Sequence, residues 1–331
     1  MKKQASVLFA LILSHVHVTA QVQQPAHPLL PELFFVSDTQ QPMWVEKIVL
    51  KANHNLRATE DIFANILKER PQNLYMLGDV VSLGFADRKW KKVDRFLDSC
   101  QKAGTTVCGL LGNHDVMGRR KKGEKNFQKR FPMNVRTGYV SVTDSVAVIM
   151  LNSNFNTLTP EENDTQQTWY KSTLASLDSS DEIKAVIVCC HHAPFTNSKI
   201  VGCSKKVQEH FVTDYIQSKK GKLFITGHAH AFEHFKIQGK DFVVIGGGGG
   251  LHQPLSNTPT NLPDLAVDYK PNFHYLAVKR IADNLSITSH ELKKDFSGFM
   301  AGLNFSTNAS NSNMAITDDA SSSKTSGSTK L

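Results

Sequence analysis

Cysteine is scarce in this chain of 331 residues, and its five copies follow no metal-binding rhythm. Cys100, Cys108, Cys189, Cys190 and Cys203 form no C-x-x-C pair, which excludes a zinc ribbon. Long apolar runs are missing too. After the first twenty residues no segment reaches the ~18 apolar residues of a membrane-spanning helix. The glycine run Gly246 to Gly250 lacks the Lys-Ser/Thr of a P-loop. Aromatic residues are not interleaved with basic ones, so the chain gives no convincing nucleic-acid signal of the single-strand-groove kind. No internal repeat is present.

What is present begins at the N-terminus. Lys2 and Lys3 precede an apolar run from Ala5 to Leu13, and Val18-Thr19-Ala20 offers small residues before Gln21. This is the pattern of a cleaved signal peptide over 1–20, and it implies an exported protein, periplasmic or secreted. Residues 21–32 form a Pro-rich lead-in, 33–303 one folded domain, and 304–331 a Ser/Thr/Asn-rich tail too polar to offset its ordering entropy. The net charge of +8 includes the two leader lysines. A modest basic excess suits an anionic substrate and is small for a dedicated nucleic-acid binder. Export permits disulfides, the odd count leaves at least one thiol free in a monomer, and a Cys100–Cys108 bridge would tie a helix end to the next strand.

Along the domain, short apolar runs alternate with helical stretches. Leu33–Val36, Leu74–Leu77, Thr105–Leu111, Ala185–Cys190 and Leu223–Thr226 read as buried strands. Helices are expected within Trp44–Arg70, broken near Asn53–Asn55, and over Arg88–Lys102, Gln166–Leu177 and Lys205–Ser218. Hairpins are expected at Tyr139–Leu151, Phe232–Ile245 and Tyr275–His290. Each of the five buried runs stops at a polar cluster: Asp38-Thr39-Gln40, Gly78-Asp79, Gly112-Asn113-His114-Asp115, His191-His192 and Gly227-His228-Ala229-His230. In open α/β sheets, ligand sites form where strands end at their carboxyl edge. Carboxylate, amide and imidazole are the donors expected for Mn, Fe or Zn. One such cluster is an ordinary turn; five in succession, each at a strand end, define a site.

In this order the clusters resemble those of the calcineurin-like metallophosphoesterase superfamily, D-x-H, GD, GNH-D/E, H and GHxH, over roughly Phe34 to Gly250. The resemblance implies an α/β fold, a two-sheet α/β sandwich with flanking helices, holding two divalent metal ions (Mn, Fe or Zn). It assigns Asp79 to both ions, Asp38 and His230 to the first, and Asn113, His228 and one of His191 or His192 to the second. His191 directly follows its strand, while His192-Ala193-Pro194 fits the H-x-P form of some members. Gln40 stands where the family has His, a weaker ligand for the first ion. His114 would contact the phosphate and assist the leaving group, with Asp115 orienting it. The implied reaction is attack on a small phosphorylated substrate, a mono- or diester, by a water activated between the two ions. A catalytically impaired member acting as a binding or scaffold module is the alternative. Arg88 and Arg119, close in sequence to the second and third motifs, are candidates for substrate binding.

Overall fold

Strand formation follows the buried apolar runs. A computed structural model of the protein describes residues 30–256, 258 and 262–307. The expected signal peptide over 1–20, most of the lead-in and residues 308–331 of the tail lie outside the described residues. Twelve strands are present among them: β1 (Leu30–Val36), β2 (Pro71–Met76), β3 (Thr106–Gly109), β4 (Tyr139–Thr143), β5 (Val146–Met150), β6 (Ala185–Cys189), β7 (Gly221–Thr226), β8 (Phe232–Ile237), β9 (Lys240–Ile245), β10 (His274–Ile281), β11 (Asn284–Leu292) and β12 (Phe299–Ser306). The main helices are α1 (Asn55–Glu69), α2 (Asp87–Ala103), α3 (Asn113–Val116), α4 (Arg120–Arg130) and α5 (Pro160–Ser179).

The strands form two six-stranded mixed sheets, ordered β12-β11-β10-β1-β2-β3 and β4-β5-β6-β7-β9-β8. Parallel pairing runs through β1-β2-β3 in the first and through β5-β6-β7-β9 in the second. Alternation along each strand sends one face inward and the other outward. Phe35, Tyr75 and Cys108 from one sheet join Val148, Ile187 and Ile225 from the other in a core between the sheets. Phe34, Val36, Leu74 and Met76 face α1, α2 and α4 through Ile62, Trp90, Phe96 and Phe127. On the far side Ile149, Val188 and Phe224 are covered by Tyr170 and Leu174 of α5 and by Phe211 and Tyr215. The result is a two-sheet α/β sandwich with helices on both outer faces.

Several boundaries differ from expectation. The first helix begins only at Asn55, because its carboxamide accepts from Asn53 N (2.8 Å) and donates to the Gly249 and Gly250 carbonyls (2.9 Å each). The preceding segment holds a single 3-10 turn at Glu46–Ile48. The stretch Lys205–Gln217 is helical but contains a π-helical turn, Gln208–Val212. β12 was not foreseen, and it extends the ordered domain past residue 303, since Ser306 still pairs with Ser286 of β11. All five cysteines are free. A Cys100–Cys108 bridge is ruled out because Cys108 packs between the sheets while Cys100 packs in the helix layer.

Candidate metal centre

The parallel strands deliver their polar clusters to one edge, where the two sheets meet. The backbone there is held in conformations that L-residues seldom adopt: Asp38 has φ 59°, Asp79 φ 48° and His228 φ 67°. Strain of this kind persists where surrounding bonds over-determine it. Asp38 N donates to Gly78 O (3.1 Å), Gln40 N to Asp79 O (3.0 Å) and Gly250 N to Asp38 O (2.9 Å). Gly112 allows the loops to touch, because a Cβ there would lie 2.1 Å from Asp79 N. Gly250 passes beneath His230, whose ring would meet its Cβ at 2.5 Å.

Two groups of donors result. Asp79, His191 and His228 form one, and Asp38, Asp79 and His230 the other; within each, the donor atoms lie within 4.8 Å of one another. Asp79 belongs to both. His191 Nε2 is 3.3 Å from Asp79 Oδ2 and 3.1 Å from Asn113 Oδ1. His230 Nε2 is 3.2 Å from Asp38 Oδ1. Each ring is fixed by its other nitrogen, His191 Nδ1 on Leu77 O (2.9 Å) and His230 Nδ1 on Leu251 O (2.7 Å). A main-chain carbonyl at Nδ1 selects the tautomer that turns the Nε2 lone pair toward the centre.

The side chains fit divalent cations. Asp38 Oδ1 is buried and accepts no hydrogen bond, although His230 Nε2 stands 3.2 Å from it, an arrangement that suits two donors turned to a shared cation. Burial opposes the charge of Asp79, yet His191 beside it holds the carboxyl well below its ordinary range. The same pair works in reverse on His191: burial disfavours its cation, and Asp79 pushes it up to about 9, so the ring holds a proton that a metal ion at Nε2 would displace. Burial and the charge of His191 bring His228 down to about 4, which leaves its imidazole neutral and able to ligate. Nitrogen and oxygen donors in these proportions suit Mn, Fe or Zn.

Of the two adjacent histidines, His191 enters a donor group. The His192 ring packs 4.5 Å from that of His228, and its Nδ1 lies 2.9 Å from Ser153 Oγ. Gln40 is fully buried beside the second group. Its carboxamide nitrogen donates to the carbonyls of Asp38 (3.2 Å) and Asp79 (2.8 Å), and its oxygen accepts from His230 Nε2 at 3.3 Å, through a proton that a cation at that nitrogen would displace.

His114 is the second residue of the one-turn helix α3. Its backbone N donates to Asp79 Oδ1 (2.7 Å), while its Nε2 lies 3.9 Å from Asp79 Oδ2 and its Nδ1 3.3 Å from Ser82 O. Asp115 does not orient it. The Asp115 carboxylate accepts from Gly112 N (3.0 Å), Val81 N (3.2 Å) and Val80 N (3.4 Å), tying the second and third motif loops together. Burial and the neighbouring Asp79 charge push that carboxyl up to about 7.

A cleft of about 310 Å³ opens over the centre, lined by Asp79, Asn113, His114, His228 and His230 below and by Glu46, Val49, Leu50, Ile200 and Val201 above. Arg88 and Arg119 do not line it. Both are exposed, and Arg119 rests over the Phe85 ring at 5.8 Å. Sequence reasoning passed over Glu46, whose Oε1 stands 3.8 Å from His114 Nε2. A lone glutamate in an irregular segment carries no motif by which to find it.

The calcineurin-like phosphoesterase family model matches residues 32–232, and the chain belongs to that family. No curated protein matches it. Among solved structures it is similar to the purple acid phosphatase PPD1 of yellow lupin (Lupinus luteus), with TM-score 0.57, 13% identity, 86% of this chain and 57% of that chain covered. It is similar to GAP50 of Plasmodium, described as the anchor in the inner membrane complex, with TM-score 0.58, 13% identity and coverage of 82% and 87%. A dimetal phosphatase from Danio rerio gives TM-score 0.50, 12% identity and coverage of 82% and 98%. The chain thus spans a little over half of the lupin enzyme's length.

Proposed function

We propose that the protein is an active, exported phosphoesterase that uses two divalent ions to hydrolyse a mono- or diester of phosphate. The observation that carries this reading is Asp79, a buried carboxylate shared by both donor groups. Two ions held by such a bridge would activate a water and neutralise the phosphoryl oxygens. The chain's own residues do the rest. Asn113, His191 and His228 would hold one ion, and Asp38 and His230 the other, with the Gln40 oxygen beside it. His114 contributes no ligand atom to either donor group; it lines the cleft, and its Nε2 lies 3.8 Å from Oε1 of Glu46, another lining residue. It is placed to give a hydrogen bond or proton to the departing oxygen. No Lys or Arg lines the cleft, so the ions and His114 must carry the recognition of phosphate charge.

Hydrolysis of chromogenic phosphate mono- and diesters by purified protein loaded with Mn, Zn or Fe tests this proposal. Turnover that needs metal and falls with His114→Ala supports it. A folded protein that hydrolyses neither ester with any of the three metals refutes it.

The second reading, a fold retained as a binding or scaffold module, is favoured by one observation only. Gln40 replaces the family's histidine, and its amide nitrogen is engaged on two main-chain carbonyls. The Plasmodium structure, described as an anchor, shows that the same fold is found in a protein with that description. Export rests on the first twenty residues, and a mature N-terminus at Gln21 in protein recovered from outside the cytoplasm is the corresponding check.

A further inference from the structure

The rim of the cleft exposes more apolar surface than the chemistry at its floor requires. Over six residues of one wall, Trp44 is 78% exposed, Val45 47%, Ile48 71% and Val49 73%. Ile200 on another wall is 45% exposed, and Val49 and Ile200 line the cleft itself. Isolated apolar residues on a surface need no explanation, but a cluster beside a site does. Lysines are set among them. Lys47, Lys51 and Lys199 are exposed, and among the described residues none pairs its ammonium with a carboxylate.

We propose that this rim is a docking surface for an anionic lipid bilayer. Apolar side chains that enter the headgroup boundary, combined with cationic ones attracted to anionic lipid, give the two signals that stable membrane-surface binding needs. Trp44 adds the side chain best suited to that boundary. The unpaired lysines complement a continuous negative surface, and the chain's net charge has the same sign. Docked this way, the cleft opens onto the headgroups and takes phosphate esters carried by the lipids, a consequence that rests on the phosphoesterase reading.

The test uses the purified chain beginning at Gln21, without the apolar leader, and vesicles of phosphatidylcholine alone or with about a third phosphatidylserine. Sedimentation reads binding, and the emission change lost in Trp44→Phe reads the environment of Trp44, since Trp90 is fully buried and the half-buried Trp169 is common to both proteins. The proposal expects association with the anionic vesicles, a blue shift, and weaker binding in high salt. Ile48→Asp, which touches no group at the floor of the cleft, should weaken association about tenfold. It should leave hydrolysis of a small soluble ester unchanged, which also shows that the variant is folded. Trp44→Phe should remove the blue shift and keep most of the binding. Absence of binding to anionic vesicles, or binding undiminished by Ile48→Asp, overturns the proposal. A wild-type dimer that Ile48→Asp converts to monomer, with no vesicle binding, overturns it in favour of a second copy covering the face. Soluble-ester hydrolysis without vesicle binding counts against docking alone, and vesicle binding without hydrolysis counts against the enzyme reading alone.

Discussion

The backbone N–H of His228 donates to Asp38 Oδ2 at 3.0 Å, so a strand end of one sheet holds a strand end of the other. Both residues have positive φ, and both belong to donor groups that share Asp79. The contact explains how side chains separated by 190 positions are placed together before any ion arrives. Replacing Asp79 by Asn keeps the shape and one acceptor for His114 N but removes the shared charge. Bound metal, read by elemental analysis after dialysis, should fall to one ion or fewer per chain. Ester hydrolysis should drop on the order of 10³-fold.

His114→Ala should behave differently. The His114 main-chain N–H to Asp79 is retained, so metal content should not change. Turnover should fall by about 10²–10⁴, the usual contribution of a positioned imidazole. The loss should grow as the leaving group becomes a worse one, because a good leaving group needs no proton. An equal loss across a series of aryl esters would show that His114 only shapes the site.

Asp115→Asn separates scaffold from chemistry. Its carboxylate accepts from three main-chain N–H groups, and an amide accepts through one oxygen only. Leaving one or two buried N–H groups unpartnered costs about 1–3 kcal/mol. A lower urea midpoint is therefore expected, with the dependence on leaving group left as in the wild type. A changed leaving-group dependence with unaltered stability would return Asp115 to the role of orienting His114.

Much of this site was legible in the sequence because a parallel strand buried on both faces has few ways to end. Leu74–Leu77 is apolar without interruption, so Gly78-Asp79 had to mark its carboxyl edge, and the same holds for Ala185–Cys190 before His191. What could not be read was spatial company. Asp115 neighbours His114 in sequence, yet on the short helix α3 its side chain turns back to the amides of Gly112, Val80 and Val81. Arg119 follows the third motif by four residues and points away to Phe85. Glu46 reaches the cleft from an irregular segment whose path depends on Asn55 holding the glycine loop. β12 was hidden because Phe299–Ser306 is interrupted by Gly302 and buries little of its surface.

A separate group makes stability depend on pH. Glu233, fully buried on β8, accepts from Thr196 Oγ1 (2.5 Å) and Asn197 N (2.6 Å) and so holds the loop leading to the cleft wall. Burial raises its carboxyl from 4.5 to about 7. Between those values the folded chain keeps a proton that the unfolded chain has released. This contribution is therefore full below pH 4.5 and is lost as pH rises to about 7, by at most about 3 kcal/mol. Glu233→Gln, whose oxygen can still accept from Asn197 N while its NH2 donates to Thr196 Oγ1, should flatten that slope. Urea midpoints at pH 5 and pH 8 would show it, and an unchanged slope would mean that another group sets it.

The central claim is that Asp79 bridges two cations. Anomalous scattering from crystals soaked in manganese or zinc tests it most directly. Two peaks are expected, one within ligand distance of Asp79, Asn113, His191 and His228, and one within reach of Asp79, Asp38 and His230. The second should be the weaker if Gln40 lowers its occupancy. Soaked crystals with neither peak, or with metal only at sites remote from Asp79, would contradict the account.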